Sequence, residues 1–258
     1  MQNTVFLFFV FLCSVAGYSQ TESSQNQFLS VSLTGIYFNK LQIYDKIGFE
    51  VLSKRLPTGE FGVTYTNLFR KTNGIQFNFN TGIFPINIGH DIKTPANSIF
   101  NTGPYKEDYV NLYASNNVYI QVYSSIGIMA VKQFSIFENK RTLDFNYGVS
   151  FFKMWNETRE FGFTSIYEID DNNSNVELFK AFLVDSVSNE FLASLRLELK
   201  SRYKFTKNSI SYGIVLNYSP FTILEGWYNL ANLNTPSKGK LKQKMNYLGF
   251  NISYDLNN

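Results

Sequence analysis

Between Phe191 and Phe205 the chain sets Phe191, Ala193, Leu195, Leu197 and Leu199 on one series of alternate positions, and Ser194, Arg196, Glu198, Lys200 and Arg202 on the other. A period of two sends successive side chains to opposite faces of a strand. A helix would scatter Leu195, Leu197 and Leu199 around its circumference and leave no apolar stripe. The segment is therefore a two-faced strand, one face apolar and the other charged. Each face needs its own environment.

Other segments repeat the pattern. Phe61, Val63, Tyr65 and Phe69 alternate with Gly62, Thr64, Thr66 and Arg70. Ile75, Phe77 and Phe79 alternate with Gln76, Asn78 and Asn80, and Leu143 to Phe151 alternate with Thr142 to Ser150. Ile210 to Tyr218 and Leu248 to Leu256 behave alike, and Val118 to Ile128 does so less cleanly. Strands of about ten residues fit a tilted crossing of a hydrocarbon layer. Short connections at 71–74, 138–141 and 206–208 alternate with long polar ones at roughly 85–116, 155–189 and 220–245. Membrane barrels sort their connections this way, with tight turns on one side and long loops on the other. Within the long loops, Phe161 to Ile169 and Val176 to Val184 could extend a hairpin above the membrane.

Counting back from the C-terminus gives strands near 246–256, 209–219, 190–205, 141–154, 117–136, 74–84 and 60–70. A further strand at 45–55 would pair across Leu56-Pro57-Thr58-Gly59-Glu60, read as an outside turn. Phe28 to Phe38 also alternates, which makes an odd total where bacterial barrels take even ones. Either 28–55 is one broken strand or another hides in 158–186. The expectation is an all-β, closed, antiparallel up-and-down transmembrane barrel with long outer loops, of eight strands, with ten as the alternative.

Composition narrows the class. Aromatics reach 17%, with 26 Phe and 17 Tyr, residues that favour strands and membrane interfaces. A net charge of +3 without a basic motif gives no reason to expect a nucleic-acid partner. The apolar run Val5 to Leu12, followed by Cys13-Ser14-Val15-Ala16-Gly17, has signal-peptide length and is too short to span. Small residues at Gly17 and Ser19 suggest cleavage after Ser19, although Met1 to Thr4 carry no Lys or Arg. The expected organisation is 1–19 signal peptide, 20–27 N-terminal segment and 28–258 barrel. Cys13 is the only cysteine, so a mature chain beginning at Gln20 has no thiol for disulfides, metal ligation or nucleophilic attack.

Alternation alone does not say which face looks inward. A soluble barrel would turn Arg196, Glu198, Lys200 and Arg202 out to water at no cost. In a membrane they must face the interior, because a basic side chain toward lipid costs roughly 2–4 kcal/mol near the midplane. The export signal, the sorted loops and the aromatics near strand ends (Tyr203, Phe205, Tyr218, Trp155, Trp227 and Tyr254) favour the membrane.

The last strand, Tyr247-Leu248-Gly249-Phe250-Asn251-Ile252-Ser253-Tyr254, resembles the barrel-assembly signal of outer-membrane proteins, with Gly two positions after the first residue and then alternating hydrophobics. It departs from that pattern at the weakly polar Tyr247 and in running on to Asp255-Leu256-Asn257-Asn258. The mature chain as a whole resembles small outer-membrane β-barrel proteins of the Bacteroidetes type. The resemblance implies residence in the cell outer membrane, contact with its lipid and lipopolysaccharide, and insertion by the barrel-assembly machinery.

The charged inward faces suggest a lumen network of Glu50, Asp144, Arg196, Glu198, Lys200 and Arg202. An eight-stranded barrel is filled by its own side chains. Lys238, Lys240, Lys242 and Lys244 share the parity of Leu248 and Phe250, so they would project outward above the lipid toward lipopolysaccharide phosphates. The plainer reading is a solvated loop. His90, the only histidine, adjoins Asp91 in a long loop and reads as solvated. The sequence shows no phosphate-binding loop, spaced metal ligands or nucleophile elbow, so no cofactor is expected. The function expected is structural, adhesive or loop-mediated binding, with a protein partner on the outer loops and without an open pore. The alternatives are a barrel-embedded lipid-modifying enzyme and a secretion-system accessory barrel.

Overall fold

The computed structural model describes residues 27–47, 56–70, 72–87, 91–95, 109–113, 118–136, 141–155, 160–168, 175–185, 190–205, 208–230 and 237–256. The signal segment, Glu50 and His90 lie outside them.

Eight antiparallel strands close a barrel: β1 (Gln27–Phe38), β3 (Pro57–Arg70), β4 (Asn73–Asn87), β7 (Val118–Ile136), β8 (Arg141–Met154), β11 (Leu192–Lys204), β12 (Ser209–Tyr218) and β15 (Tyr247–Leu256). Their order around the wall is β1-β15-β12-β11-β8-β7-β4-β3, so β1 pairs with both the last strand and β3. Closure leaves no open edge in the barrel, as a bilayer requires. Its burial is inverted relative to a soluble protein. Leu195, Leu197 and Leu199 are half exposed, whereas Arg196 is only 2% exposed. The same parity runs through β15, where Leu248, Phe250, Ile252 and Tyr254 point out and Asn251, Ser253 and Asp255 point in.

The count of eight is as expected, but one strand differs. The region 45–55 supplies no barrel strand among the described residues, and Phe28 to Phe38 supplies the first. Residues 57–60 form no turn. Pro57 opens β3, a position where its missing N–H is tolerated, and pairs with Tyr37. Gly59 follows opposite Gly35, and Glu60 turns into the lumen.

Five further strands prolong the wall. They are β2 (Gln42–Ile47), β9 (Glu160–Glu168), β10 (Asn175–Asp185), β13 (Thr222–Leu230) and β14 (Ser237–Lys244). Their order, β2-β14-β13-β10-β9, repeats that of the barrel strands to which they are joined in sequence: β1, β15, β12, β11 and β8. β9 and β10 pair as the hairpin expected above the membrane, so neither is a ninth or tenth barrel strand. β2 follows β1 after Asn39, Lys40 and Leu41, and Asn39 N–H donates to the Asn246 carbonyl at 2.8 Å across this joint. The inner face of the extension (Phe161, Phe179, Leu183, Tyr228, Leu241) forms one buried apolar cluster with the barrel-mouth residues Ile36, Phe38, Phe84, Ile86 and Phe152. Tyr119 of β7 packs its ring at 5.2 and 5.1 Å from those of Phe161 and Phe163, and its hydroxyl donates to the Gly162 carbonyl at 3.2 Å. A separate hairpin joins β5 (Asp91–Pro95) to β6 (Tyr109–Tyr113).

Candidate functional site: the charged lumen

β11 carries the lumen's cations because its alternation sends Arg196, Lys200 and Arg202 inward together with Glu198. Near the barrel mouth, Arg196 grips Glu60 from the far side of the bore. Both terminal nitrogens lie 2.9 Å from Glu60 Oε1, and Arg196 Nε lies 2.8 Å from Glu198 Oε1. Tyr123 and Tyr247 complete the group, donating to Glu60 Oε2 at 2.9 and 3.2 Å. Tyr123 reaches Glu60 by lying across Gly82: a β-carbon there would stand 2.7 Å from the tyrosine oxygen and 2.8 Å from Cζ. Only a residue without Cβ lets the ring pass.

One step down, Glu198 Oε2 accepts from Lys200 Nζ at 2.6 Å, with Asn146 and Gln76 amides at 3.3 and 3.4 Å. Near the opposite end, Arg202 bridges Asp144 and Asp255, each at 2.7 Å, and its guanidinium lies 4.1 Å from the Phe28 ring centroid. Ser30 donates to Asp255 at 2.6 Å, and Ser209 also bonds it. Above the Arg196 group, Phe38 meets Phe84, Tyr247 and Tyr123 edge-on at 4.9, 5.3 and 6.4 Å. Ion-paired groups thus lie at two levels of the bore, with aromatic rings above the upper one. Multiple charge-assisted bonds per ion offset the several kcal/mol that desolvating each ion costs.

The structure brings Asp144, Arg196, Glu198, Lys200 and Arg202 together inside the wall. Glu60, Asp255, Tyr123 and Tyr247 join them, although sequence reasoning does not place them in the network. Glu60 falls in step with Gly62, Thr64 and Thr66 on the polar face of β3, but the Pro57-Thr58-Gly59 turn signal masks that parity. Lys238, Lys240, Lys242 and Lys244 all point outward from β14. Lys240 pairs with Asp45 at 2.7 Å, and Lys242 with Glu225 at 3.2 Å. Asp45 adopts φ 47° where β2 bulges against β14, a backbone that Asp tolerates better than most residues. The hydrogen bond to Lys240, and then its charge, hold the Asp45 carboxyl below its ordinary range, and Asp45 in turn raises the Lys240 ammonium.

Aromatic girdles mark both borders of the outer apolar band. At the turn side, Arg141 lies over Tyr203 at 5.5 Å, Lys132 over Phe134 at 5.4 Å, and Tyr203 packs on Phe205. At the loop side, Lys153 reaches over Trp155 and Phe191 at 5.0 and 5.5 Å. Basic groups over interfacial rings suit a headgroup layer. Phe191, just ahead of β11, and Tyr203 within it are twelve positions apart, about 40 Å of extended chain and roughly 30 Å of height at a tilt near 40°. That matches a hydrocarbon core of about 30 Å. Trp227 departs from the expected belt: it stands on the outer face of β13, with its ring 6.4 Å from that of Phe182.

These features are the architecture of an outer-membrane-type barrel. No protein-family model matches the chain, and no curated protein matches it in sequence. Among solved structures, the outer membrane protein OprG from Pseudomonas aeruginosa is 10% identical over 90% of this chain and 97% of its own, at a TM-score of 0.47. Neisserial surface protein A is 8% identical over 88% and 95%, at 0.37. A major outer membrane protein from Thermus thermophilus is 10% identical over 89% and 99%, at 0.39.

Proposed function

We propose that the protein is an integral barrel of the bacterial outer membrane that conducts nothing through its bore and acts through the wall extension and loops outside. One observation carries this reading. The wall continues beyond the barrel as β2-β14-β13-β10-β9, and beneath it the Arg196–Glu60 contact across the bore and the Phe38 ring contacts support a closed passage. A sheet that prolongs the wall and is anchored to the barrel mouth by a shared apolar cluster is a platform for adhesion or for binding a protein partner through its loops. Insertion by the barrel-assembly machinery belongs to the same reading, supported by the likeness of Tyr247–Tyr254 in β15 to its signal. The small-barrel type of the Bacteroidetes remains the family this reading favours.

Planar-bilayer recording of the purified protein tests the closed bore. Steady conductance near the noise floor is expected. Long-lived open steps in the unmodified protein, abolished by blocking the outer mouth, would overturn it.

A further inference from the structure

Where the barrel meets its extension, the lipid-facing wall holds a groove of about 740 Å³, bounded by Leu195, Leu197, Leu216 and Leu248 and ending at Asn39 and Asn246. The joint creates it. Ser219 N–H donates to Asn246 Oδ1 at 2.6 Å, and the strand path is interrupted at Met245 and Asn246. The leucines are exposed, lie within the apolar band and so face acyl chains. Two residues beyond Asn246 on the same outward face comes Lys244, roughly 7 Å farther along the strand. Lys242 follows, with Tyr44 below its ammonium at 5.7 Å and Glu225 beside it. Lys240 is matched by Asp45, but among the described residues no carboxylate pairs with Lys244. An apolar trough in the bilayer topped by two ammonium groups at headgroup height, Lys244 without a carboxylate partner among the described residues and Lys242 beside Glu225 alone, complements one chemistry, an acyl chain joined to a phosphate.

We propose that this groove, with Lys242 and Lys244, holds one molecule of phosphorylated outer-leaflet glycolipid, lipopolysaccharide. An acyl chain lies along Leu195, Leu197, Leu216 and Leu248, and a lipid phosphate sits between the two ammonium groups. The assignment rests on the reading that the barrel spans the outer membrane with its extension outside. Free phosphate gains nothing from the leucines, and a neutral lipid gains nothing from the lysines.

The test uses the full mature protein in neutral-detergent micelles, titrated with phosphorylated lipid A and followed by native mass spectrometry. Lys242→Glu with Lys244→Glu should weaken binding about tenfold or more, and filling the trough by Leu197→Trp, or by Val149→Trp should the first variant fail to fold, should weaken it comparably. Lys180→Glu, on the same outer face but off the groove, should leave it unchanged. Equal binding of dephosphorylated lipid A, equal loss in Lys180→Glu, or full binding in either the charge-reversed or the groove-filled protein overturns the proposal. Heat-modifiable gel mobility separates the two levels. A protein that lacks it removes the membrane reading itself, whereas one that keeps it and binds lipid indifferently to these substitutions removes only the groove.

Discussion

Arg196 touches two carboxylates and a phenol within 3 Å, and every one of these groups is buried. Removing one member strands the rest, which typically costs about 3–5 kcal/mol for a buried ion pair. Arg196→Met should therefore lower the urea midpoint of unfolding sharply. Adding Glu60→Gln should recover part of the loss, because the double variant no longer buries an unpaired carboxylate at that site. Equal midpoints for the wild type and Arg196→Met would show that the pair is solvated. Gly82 makes a second, steric claim. Gly82→Val pushes against the Tyr123 ring and should cost about 1–3 kcal/mol, the usual scale of overpacking. Tyr123→Ala should relieve the clash in the double variant, and additive losses would mean the ring does not cross Gly82.

At the level of the strand, the Asp45–Lys240 pair ties β2 to β14. Asp45's carboxyl is held low, so its contribution is present above the ordinary Asp value and is lost as pH falls through the depressed one. Lys240 is raised, so its share is complete below the ordinary Lys value and lost as pH rises through the elevated one. Amide protection in β2 should thus be flat across neutral pH, fall at both extremes and weaken with salt, since both groups are exposed. A midpoint of loss near neutrality would contradict it.

The same strands show what could be read from sequence. The facing of β8, β11, β12 and β15 is legible because through most of each strand polar and apolar residues keep to opposite parities, broken by Phe152, Met154, Leu192 and Val215 where the inner face passes into the apolar mouth. β14 is harder, since Ser237 to Lys244 offers Leu241 alone as an apolar signal, and its inner face is completed by Phe161, Phe179 and Tyr228 from distant segments. β3 misleads at its start. Pro57-Thr58-Gly59 carries turn chemistry, yet pairing with β1 draws it into the wall. Glu60 is hidden for that reason, whereas Arg202 and Asp144 stand on inward faces that alternation makes visible.

For the whole molecule, hydrocarbon lies outside the wall and an ion-paired interior lies within. The proposed closed bore, platform and lipid groove all require that orientation. Site-directed spin labelling measures it directly. Labels introduced singly at Leu195, Leu197 and Leu199 of the protein in lipid bilayers should be relaxed strongly by oxygen and hardly by a water-soluble nickel chelate. Labels at the small inward positions Ser194 and Ser211 should be shielded from both. If the leucine positions respond to the nickel chelate instead, or if the two sets show no alternation, the barrel does not face lipid and the account fails.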